Sequence, residues 1–280
     1  MVHEKTNSQN ATDVDKFQFD TENDSVIPVA KIEGIIRQCD NRKDPVHDTG
    51  HLKRVARGAA WFVKMSGCDK EEQQVAYAAG LLHDFVRPKS EIIDHAASSA
   101  AAARKILKRL HVKKDIIEDI AAAISDHREK TKWNSVVHQS VYFADKVFEL
   151  LGAIVLFRGC TWVGECRHVQ KYTVLDSVSS WFSRRLKHYM PSEFPKQFRG
   201  LVKSQRTWPT FFVNAVKSDE KWAMYLAAAG FRNGAIDKLS LDKFIHQFKP
   251  ITKQDAIVRD EAIAYISGKK WDEWTKFVRF

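Results

Sequence analysis

The sequence lacks the marks of several large protein classes. It has no run of about 18 apolar residues, so we expect no membrane-spanning helix. Its first residues lack a basic start followed by an apolar run, which predicts that no secretory signal is present. The cysteines are too few and too scattered for a disulfide scaffold: Cys39, Cys68, Cys160 and Cys166. Together these features predict a cytoplasmic protein with reduced thiols.

Glycine-rich nucleotide-binding motifs are absent, and the alternating pattern of β-strands is rare. There is no glycine-rich phosphate-binding or dinucleotide-binding motif, and few segments alternate every second residue as strands do. Apolar residues instead recur at helical spacing, which predicts helices over 29–39, 47–65, 69–84, 95–110, 113–127 and 134–150. Later segments at 176–189, 211–229, 241–248 and 255–277 also have a helical pattern. The predicted fold class is therefore all-α, a helical bundle with an additional helical C-terminal region.

The chain divides into three parts by composition. Residues 1–26 are polar, and we expect them to be disordered because they cannot bury enough apolar surface to offset the entropy of ordering. Residues 27–160 are expected to form a helical domain, and residues 161–280 a helical extension. The later part is rich in tryptophan, which usually indicates core packing: Trp162, Trp181, Trp208, Trp222, Trp271 and Trp274.

Basic residues outnumber acidic ones, 45 to 35, giving a formal net charge of +10. A basic excess favours anionic partners such as nucleotides, nucleic acid or acidic lipid, but it is equally compatible with a solvated basic surface. The basic residues of segment 198–206 are compatible with a nucleic-acid contact, although a solvated loop explains them as well. Nucleic acid is thus a permitted partner that no motif indicates.

Histidine and aspartate collect at the predicted helix ends. His51 lies in the first turn of the second helix, the adjacent pair His83 and Asp84 ends the third, and Asp145 lies in the sixth. The pair follows a nearly apolar stretch, where two polar side chains are costly to bury without partners. Imidazole and carboxylate groups are ligands for Mn, Fe, Co, Ni, Zn or Mg, so a metal ion would supply such a partner.

Five segments carry a more specific signal when they are taken in order. They are HDTGHLKRVARGA, AYAAGLLHDFVRP, DHAASSAAAARKIL, AAAISDH and VYFADKVFELLGAI. This ordered set resembles the HD superfamily of metal-dependent phosphohydrolases, and the resemblance covers about residues 28–160. It implies the metal ligands His51, His83, Asp84 and Asp145, holding one divalent ion per chain, or two. Segment 144–159, ADKVFELLGAIVLFRG, also resembles a branch that contains nucleotide pyrophosphohydrolases.

The resemblance implies hydrolysis of a phosphoester or phosphoanhydride in a nucleotide or another small phosphorylated metabolite. Residues 161–280 would then cover the site or support a homo-oligomer. Many relatives have Gly-Lys or Asp-x-Lys after the His-Asp pair, whereas here Phe85 to Lys89 follow it, so Arg87 or Lys89 is expected to bind phosphate. Arg54 lies three residues after His51, on the same helical face, and is a further candidate. Each of these cations is alternatively a solvated surface charge.

Several other roles remain open. The catalytic residues implied are Asp84, Arg87 and Glu91, with Glu91 or Asp94 as the general base unless these acids are simply solvated. His95 and His127 are ligands of a second metal, contacts to the substrate phosphate, or ordinary polar residues at helix ends. His47 and Asp48 are expected to orient the ligands, and Asp48 is equally suited to cap the second helix.

Two alternatives to hydrolysis share the same fold. Some HD-domain proteins with two irons are oxygenases, and the set His51, His83, Asp84, His95, His127 and Asp145 permits that chemistry. The other alternative is a binding protein that has lost catalysis.

Overall fold

The regular structure of this chain is helical. The computed structural model describes residues 26–39, 44–87, 94–128, 132–150, 152–166, 173–188 and 190–267, and within these ranges every regular element is a helix. The prediction of an all-α fold is confirmed. No helix among the described residues has the length and apolar character needed to cross a membrane. Residues 1–25, predicted to be disordered, lie outside the described ranges.

The first six helices correspond to those predicted from the pattern. They are α1 (Val29–Cys39), α2 (Thr49–Met65), α3 (Lys70–Leu82), α4 (His95–Arg109), α5 (Lys114–Ser125) and α6 (Val136–Lys146). Helix α2 packs against α3 and α6, α5 packs against α3, α4 and α6, and α1 lies on α3. The sixth helix is shorter than the predicted 134–150, because a separate 3-10 turn occupies Phe148–Leu150. This turn places Glu149, as described below.

Side-chain caps determine where α2 and α3 begin. The Asp48 carboxylate accepts a hydrogen bond from the His51 backbone N–H at 2.9 Å, so α2 begins at Thr49 rather than at the predicted residue 47. Asp69 and Glu72 form the capping box of α3 that their spacing predicts. Because the Asp48 cap fixes the first turn of α2, it also fixes the backbone of His51.

The remaining helices follow the sequence pattern less closely. They are α7 (Ile154–Glu165), α8 (Val174–His188), α9 (Arg199–Gln205), α10 (Thr207–Lys217), α11 (Lys221–Arg232), α12 (Leu241–Gln247) and α13 (Lys253–Ile266). The pattern does not predict α7 or α9. The single helix predicted over 211–229 is wrong, because Asp219 adopts a left-handed backbone conformation (φ 52°) and separates α10 from α11. The last predicted helix, 255–277, extends beyond residue 267 into positions outside the described ranges.

Helix α7 links the two halves of the structure. It packs against α8, α11, α12 and α13, and its apolar residues belong to the same hydrophobic core as those of α2 and α6. The Tyr265 hydroxyl of α13 donates a 2.6 Å hydrogen bond to the Phe148 carbonyl, and the Leu241 N–H donates to the Pro45 carbonyl at 3.0 Å. The proposed division into 27–160 and 161–280 stays a prediction, and its boundary falls inside α7.

Gly80 allows α3 to approach α2 closely, about one turn before His83. A Cβ atom at this position would lie 2.5 Å from the Ala56 Cα, a contact that neither backbone can relieve without moving. We therefore expect Gly80→Ala to destabilise the protein by about 1–3 kcal/mol, measured by urea unfolding, despite the higher helix propensity of alanine. Gly34→Ala in α1 is the matched control, because its Cβ would meet only the end of Arg37 at 4.0 Å. A Gly80→Ala protein as stable as the Gly34→Ala protein would contradict this account.

Candidate metal centre

Four helix ends bring imidazole and carboxylate groups to one point. His51 comes from the first turn of α2, His83 and Asp84 directly follow α3, His127 follows α5, and Asp145 lies near the end of α6. All five residues are buried. The structure thus brings together the four residues expected as metal ligands and His127, and the second additional histidine, His95, lies beside Asp84.

The distances within this group suit ligands that face a common ion. His51 Nε2 lies 3.2 Å from His83 Nε2, 3.7 Å from Asp145 Oδ1 and 3.9 Å from Asp84 Oδ2. His83 Nε2 lies 3.7 Å from Asp84 Oδ2. One ligand atom from each of His51, His83 and Asp145 lies within 4.8 Å of the others. Nitrogen and oxygen donors at such mutual distances can all reach one divalent ion.

The contacts of Nδ1 in His51 and His83 determine whether Nε2 of the same ring is available to an ion. His83 Nδ1 is 2.8 Å from the Gly80 carbonyl, and a carbonyl can only accept, so Nδ1 carries the proton and Nε2 keeps its lone pair. His51 Nδ1 lies 3.3 Å from Glu149 Oε1, which favours the same tautomer. Two lone pairs would then face each other at 3.2 Å. That arrangement is repulsive by itself and becomes favourable when a cation lies between them, so these residues fit a divalent metal.

Protonation states at neutral pH also suit a metal. Burial lowers the pKa of His83 to about 4 and also lowers that of His51, so both imidazoles are neutral. Burial alone would raise the pKa of Asp84 and Asp145. The neighbouring His83 and Arg87 outweigh burial at Asp84, and Lys146 and His83 outweigh it at Asp145, so the pKa of each carboxyl lies well below its usual value. The donor set is therefore two neutral imidazoles and two carboxylates.

A second group of possible ligands shares residues with the first. His83, Asp84 and His127 each offer an atom within 4.8 Å of the others. His127 Nε2 lies 3.7 Å from Asp84 Oδ1, and His95 Nε2 lies 3.4 Å from the same oxygen. His83 is nearest to the other oxygen of this carboxylate, Oδ2. His127 Nδ1 lies 2.6 Å from the Ile124 carbonyl, so its Nε2 also keeps a lone pair. The geometry thus suits a second ion, although a phosphate contact by His95 and His127 remains an alternative.

A cavity of about 360 Å³ opens beside these ligands. Its walls include Asp84, Asp145, His95 and His127, together with five cationic side chains and two indoles: Arg87, Arg128, Lys146, Arg158, Arg185, Trp162 and Trp181. Arg87 Nη1 donates to Asp84 Oδ2 at 3.3 Å. Arg87 is thus beside the ligands, as the sequence led us to expect. The volume lies within the range of small-molecule sites and is too small for a folded macromolecule.

Arg54 does not face this cavity and instead lies behind His51. Its Nε donates to Glu149 Oε2 at 2.7 Å and its Nη2 to Glu149 Oε1 at 3.2 Å, while Nη1 donates to Asp242. Two carboxylates thus pair with Arg54 on the side of His51 away from the cavity, and its role in substrate binding stays a prediction.

Glu149 is one functional candidate that the sequence pattern does not reveal. Its side chain is fully buried and contacts His51, Arg54 and Arg158. Burial would raise the Glu149 pKa, but Arg54 and His51 lower it to about 2, so the side chain is a carboxylate. Its position four residues after Asp145 is the available signal, because one helical turn separates the two acids.

The remaining predicted residues have simpler positions. Lys89 and Glu91 lie outside the described ranges. The Asp94 carboxylate accepts from the Ala96 N–H at 2.9 Å and pairs with Arg128, so it caps α4. His47 lies edge-on to both His51 and Trp162, and its Nδ1 lies 2.8 Å from Asp44 Oδ2.

Asp44, His47 and Glu165 form a third polar group beside the cavity. Their potential ligand atoms lie within 4.8 Å of one another, but Arg87 Nε is 3.9 Å from Asp44 Oδ2 and opposes a cation there. Burial, together with the hydrogen bond and the charge of Asp44, raises the Glu165 pKa to about 9. Glu165 is therefore protonated at neutral pH and shares its proton with Asp44.

This shared proton predicts how stability depends on pH. Between the unfolded pKa near 4.5 and the folded pKa near 9, the native state binds a proton that the unfolded state has lost. The Glu165 contribution to the free energy of unfolding is therefore present below pH 4.5 and falls as the pH rises toward 9. We expect the melting temperature of Glu165→Gln to decline less than that of the wild type between about pH 6 and pH 9. Parallel declines in the two proteins would contradict the shared proton.

In comparisons with known proteins, residues 49–150 match the family model of the HD domain. Among solved structures, a predicted HD superfamily hydrolase from an uncultured Thermotogales bacterium is similar, with a TM-score of 0.48 and 22% sequence identity. That similarity covers 69% of this chain and 93% of the other. No curated protein matches the sequence.

Proposed function

We propose, from the match of residues 49–150 to the family model of the HD domain, that this chain is a metal-dependent phosphohydrolase acting on a nucleotide or another small phosphorylated metabolite. The observation that carries the proposal is the 3.2 Å approach of the Nε2 atoms of His51 and His83, which lie beside two carboxylates at the edge of a cationic cavity. The ligand groups favour the binding of a cation, and the cationic walls favour an anionic substrate.

His51, His83, Asp84 and Asp145 would hold the metal ion. A bound divalent ion lowers the pKa of water and polarises a phosphoryl oxygen, which is the chemistry that phosphoester hydrolysis needs. Arg87 extends from the ligand carboxylate Asp84 into the cavity, where its planar guanidinium is suited to orient a phosphoryl group through two parallel hydrogen bonds. Glu91 remains the proposed general base, Lys89 a proposed phosphate contact, and His95 and His127 proposed substrate contacts or ligands of a second ion.

The cavity walls support a nucleotide within this substrate class. Trp162 and Trp181 both line the cavity, and an indole face stacks favourably on a planar base. Trp181 also belongs to the hydrophobic core and Trp162 packs against it, as the density of tryptophans led us to expect. A cavity of about 360 Å³ admits one small phosphorylated molecule.

Metal content and turnover together test the proposal. We expect protein purified without chelator to contain one or two divalent ions per chain by elemental analysis. It should hydrolyse a member of a panel of nucleotides and sugar phosphates when Mn²⁺ or Mg²⁺ is supplied, and lose activity with a chelator. A metal-bound protein that hydrolyses nothing in the panel would contradict the phosphohydrolase.

The second cluster favours one alternative, a di-iron oxygenase. His95 and His127 lie near Asp84 Oδ1, whereas His83 lies near Asp84 Oδ2, so the two groups would share this carboxylate if each held an ion. Two irons per chain together with substrate-dependent oxygen consumption would favour this alternative over hydrolysis. A protein that binds no metal even after addition of Mn²⁺ or Fe²⁺ would favour a binding module without catalysis.

A further inference from the structure

Part of the cavity wall lies outside the residues that match the HD domain. Arg158 and Trp162 lie on α7, and Trp181 and Arg185 lie on α8, whereas the match ends at residue 150. Arg158 and Trp162 are four residues apart, so they lie about one turn apart on the same face of α7. A guanidinium and an indole are therefore neighbours on the side of the cavity that α7 forms.

The packing of α8 against α7 fixes this wall. A Cβ atom at Gly159 would lie 2.6 Å from Trp181 Cζ3, so the Trp181 indole touches the α7 backbone directly beside Arg158. Trp181 is buried, and the Arg185 guanidinium carbon lies 5.2 Å from the centre of its ring. Trp162 is only half-buried and lines the cavity. Trp162 is thus the indole better placed to stack on a bound ring, whereas Trp181 holds the two helices together.

The charge of Arg158 has a partner, but the described residues do not fill its capacity for hydrogen bonds. The residue is 6% exposed, and its Nε lies 3.4 Å from Glu149 Oε1. That nitrogen is buried and makes no hydrogen bond to any residue in the described ranges. A guanidinium has five N–H donors and no acceptor, and a buried donor without an acceptor is unfavourable. A ligand that presents acceptors in the cavity would therefore complete the hydrogen bonds of Arg158.

The surroundings of Arg158 favour a neutral planar ligand group. The Glu149 carboxylate already lies beside the guanidinium, so the acceptors that it needs do not have to carry charge. The Trp162 indole, one turn away, favours a planar ring. A flat ring with acceptor atoms along one edge suits both side chains, and a nucleobase is such a ring.

The purine bases differ in the atoms that they present to a guanidinium. Hypoxanthine and guanine present O6 and N7, two neighbouring acceptors to which an arginine can donate in parallel. Adenine presents an amino group in place of O6, and this donor would face the donors of the arginine. A wall built from a buried arginine and an indole therefore favours an oxopurine over adenine.

We propose that Arg158 donates two hydrogen bonds to O6 and N7 of a purine base that stacks on Trp162, so that this chain prefers hypoxanthine or guanine nucleotides over adenine nucleotides. The inference rests on the proposed phosphohydrolase function and specifies the base of its substrate. The metal ligands and Arg87 would bind the phosphoryl group, while α7, outside the matched residues, would select the base.

Matched substrates and matched variants test the role of Arg158. With the full chain and Mn²⁺, kcat/KM is compared for inosine and adenosine nucleotides in pairs of equal phosphate number, from monophosphate to triphosphate. Because the members of a pair differ mainly at position 6 of the base, we expect the inosine nucleotide to be preferred by about tenfold or more, the effect of one bidentate contact. Arg158→Lys keeps a positive charge beside Glu149 but lacks the planar pair of donors, so it should lose most of this preference. Arg184→Lys, at an exposed position of α8, should keep it.

Nucleoside binding keeps the test independent of turnover, because inosine and adenosine carry no phosphoryl group. Calorimetry with the full chain and Mn²⁺ should show that inosine binds about tenfold or more tightly than adenosine. Arg158→Lys should bind the two nucleosides with similar affinity. Trp162→Leu should weaken both alike, since stacking on an aromatic side chain depends little on which base is bound.

The outcomes separate this inference from the proposed function. Equal affinity of the wild type for inosine and adenosine, or an unchanged inosine preference in Arg158→Lys, would overturn the role of Arg158 and leave the proposed function standing. An equal loss of kcat/KM for inosine and adenosine nucleotides in Arg158→Lys would place Arg158 at the phosphoryl group and would also overturn it. Absence of all phosphoester and phosphoanhydride hydrolysis would overturn the proposed function, and the nucleoside affinities would still decide the role of Arg158.

Discussion

Asp84→Ala is expected to lose both bound metal and turnover while keeping its helices. Asp84 is the residue shared by the two potential metal groups, with one oxygen near His51 and His83 and the other near His95 and His127. Removal of this carboxylate leaves Asp145 as the one carboxylate among the four proposed ligands, so the site loses half of the negative charge that favours a divalent cation. A loss of several kcal/mol of stabilisation by the metal corresponds to a decrease in kcat/KM of about 1000-fold or more.

Three measurements separate this result from misfolding. Circular dichroism should show unchanged helix content, because the neighbouring histidines are neutral imidazoles that tolerate burial. Elemental analysis should show little metal. Added Mn²⁺ should raise the melting temperature of the wild type, because an ion that binds only the native state stabilises it, but not that of Asp84→Ala.

Asp260→Asn is the matched control for Asp84→Ala, because Asp260 is an exposed carboxylate in α13 that pairs with the neighbouring Arg259. It should behave as the wild type in all three measurements and in turnover. Unchanged turnover in Asp84→Ala would remove Asp84 from the site, and with it the proposed centre.

The sequence is sufficient to predict those parts of the site that depend on local signals. His51 follows a capping aspartate, and His83 and Asp84 follow an apolar helix, so the local pattern places each of them at a helix end. What the pattern does not supply is the distance between helix ends. The close approach of α2 and α3 at Gly80 depends on tertiary packing, which one helix's periodicity does not encode.

The pattern of apolar residues in the sequence does not predict α7, because this helix is apolar on nearly all sides. Most of its residues are buried, Arg158 included, so its sequence has little of the two-sided pattern from which helices are recognised. The same burial explains why the sequence pattern does not single out Arg158. Trp162 and Trp181 line one cavity because α7 and α8 pack together, which the pattern of neither helix encodes.

Glu149 connects the two halves of the protein electrostatically. On one side it contacts the ligand His51, and on the other it neutralises Arg54, which also reaches Asp242 in α12. A carboxylate beside the distal nitrogen of a ligand imidazole orients the ring and increases the basicity of the nitrogen that binds metal. The later helices are thereby coupled to the position of His51 through one buried network.

Glu149→Gln is expected to weaken metal binding and to destabilise the fold. Loss of the carboxylate reduces the basicity of His51 and should lower metal affinity about 10- to 100-fold, measured by competition with a fluorescent chelator at about 10 °C. It also leaves Arg54 and Arg158 without their shared partner, and breaking a buried ion pair costs about 3–5 kcal/mol of the free energy of unfolding. Excess Mn²⁺ should restore much of kcat if Glu149 acts through the ligand.

A double variant separates the two effects of Glu149. In Glu149→Gln/Arg54→Met the Arg54 guanidinium disappears together with its partner, so the part of the stability loss that Arg54 causes should be recovered, while the part that Arg158 causes remains. Metal affinity should stay low, because His51 still lacks a carboxylate at Nδ1. Asp242, which loses Arg54, is about one-third exposed and can be solvated. If the double variant instead regained metal affinity together with stability, Glu149 would be a structural residue only, and the orientation of His51 would have to come from the Asp48 cap and the packing of α2 against α3.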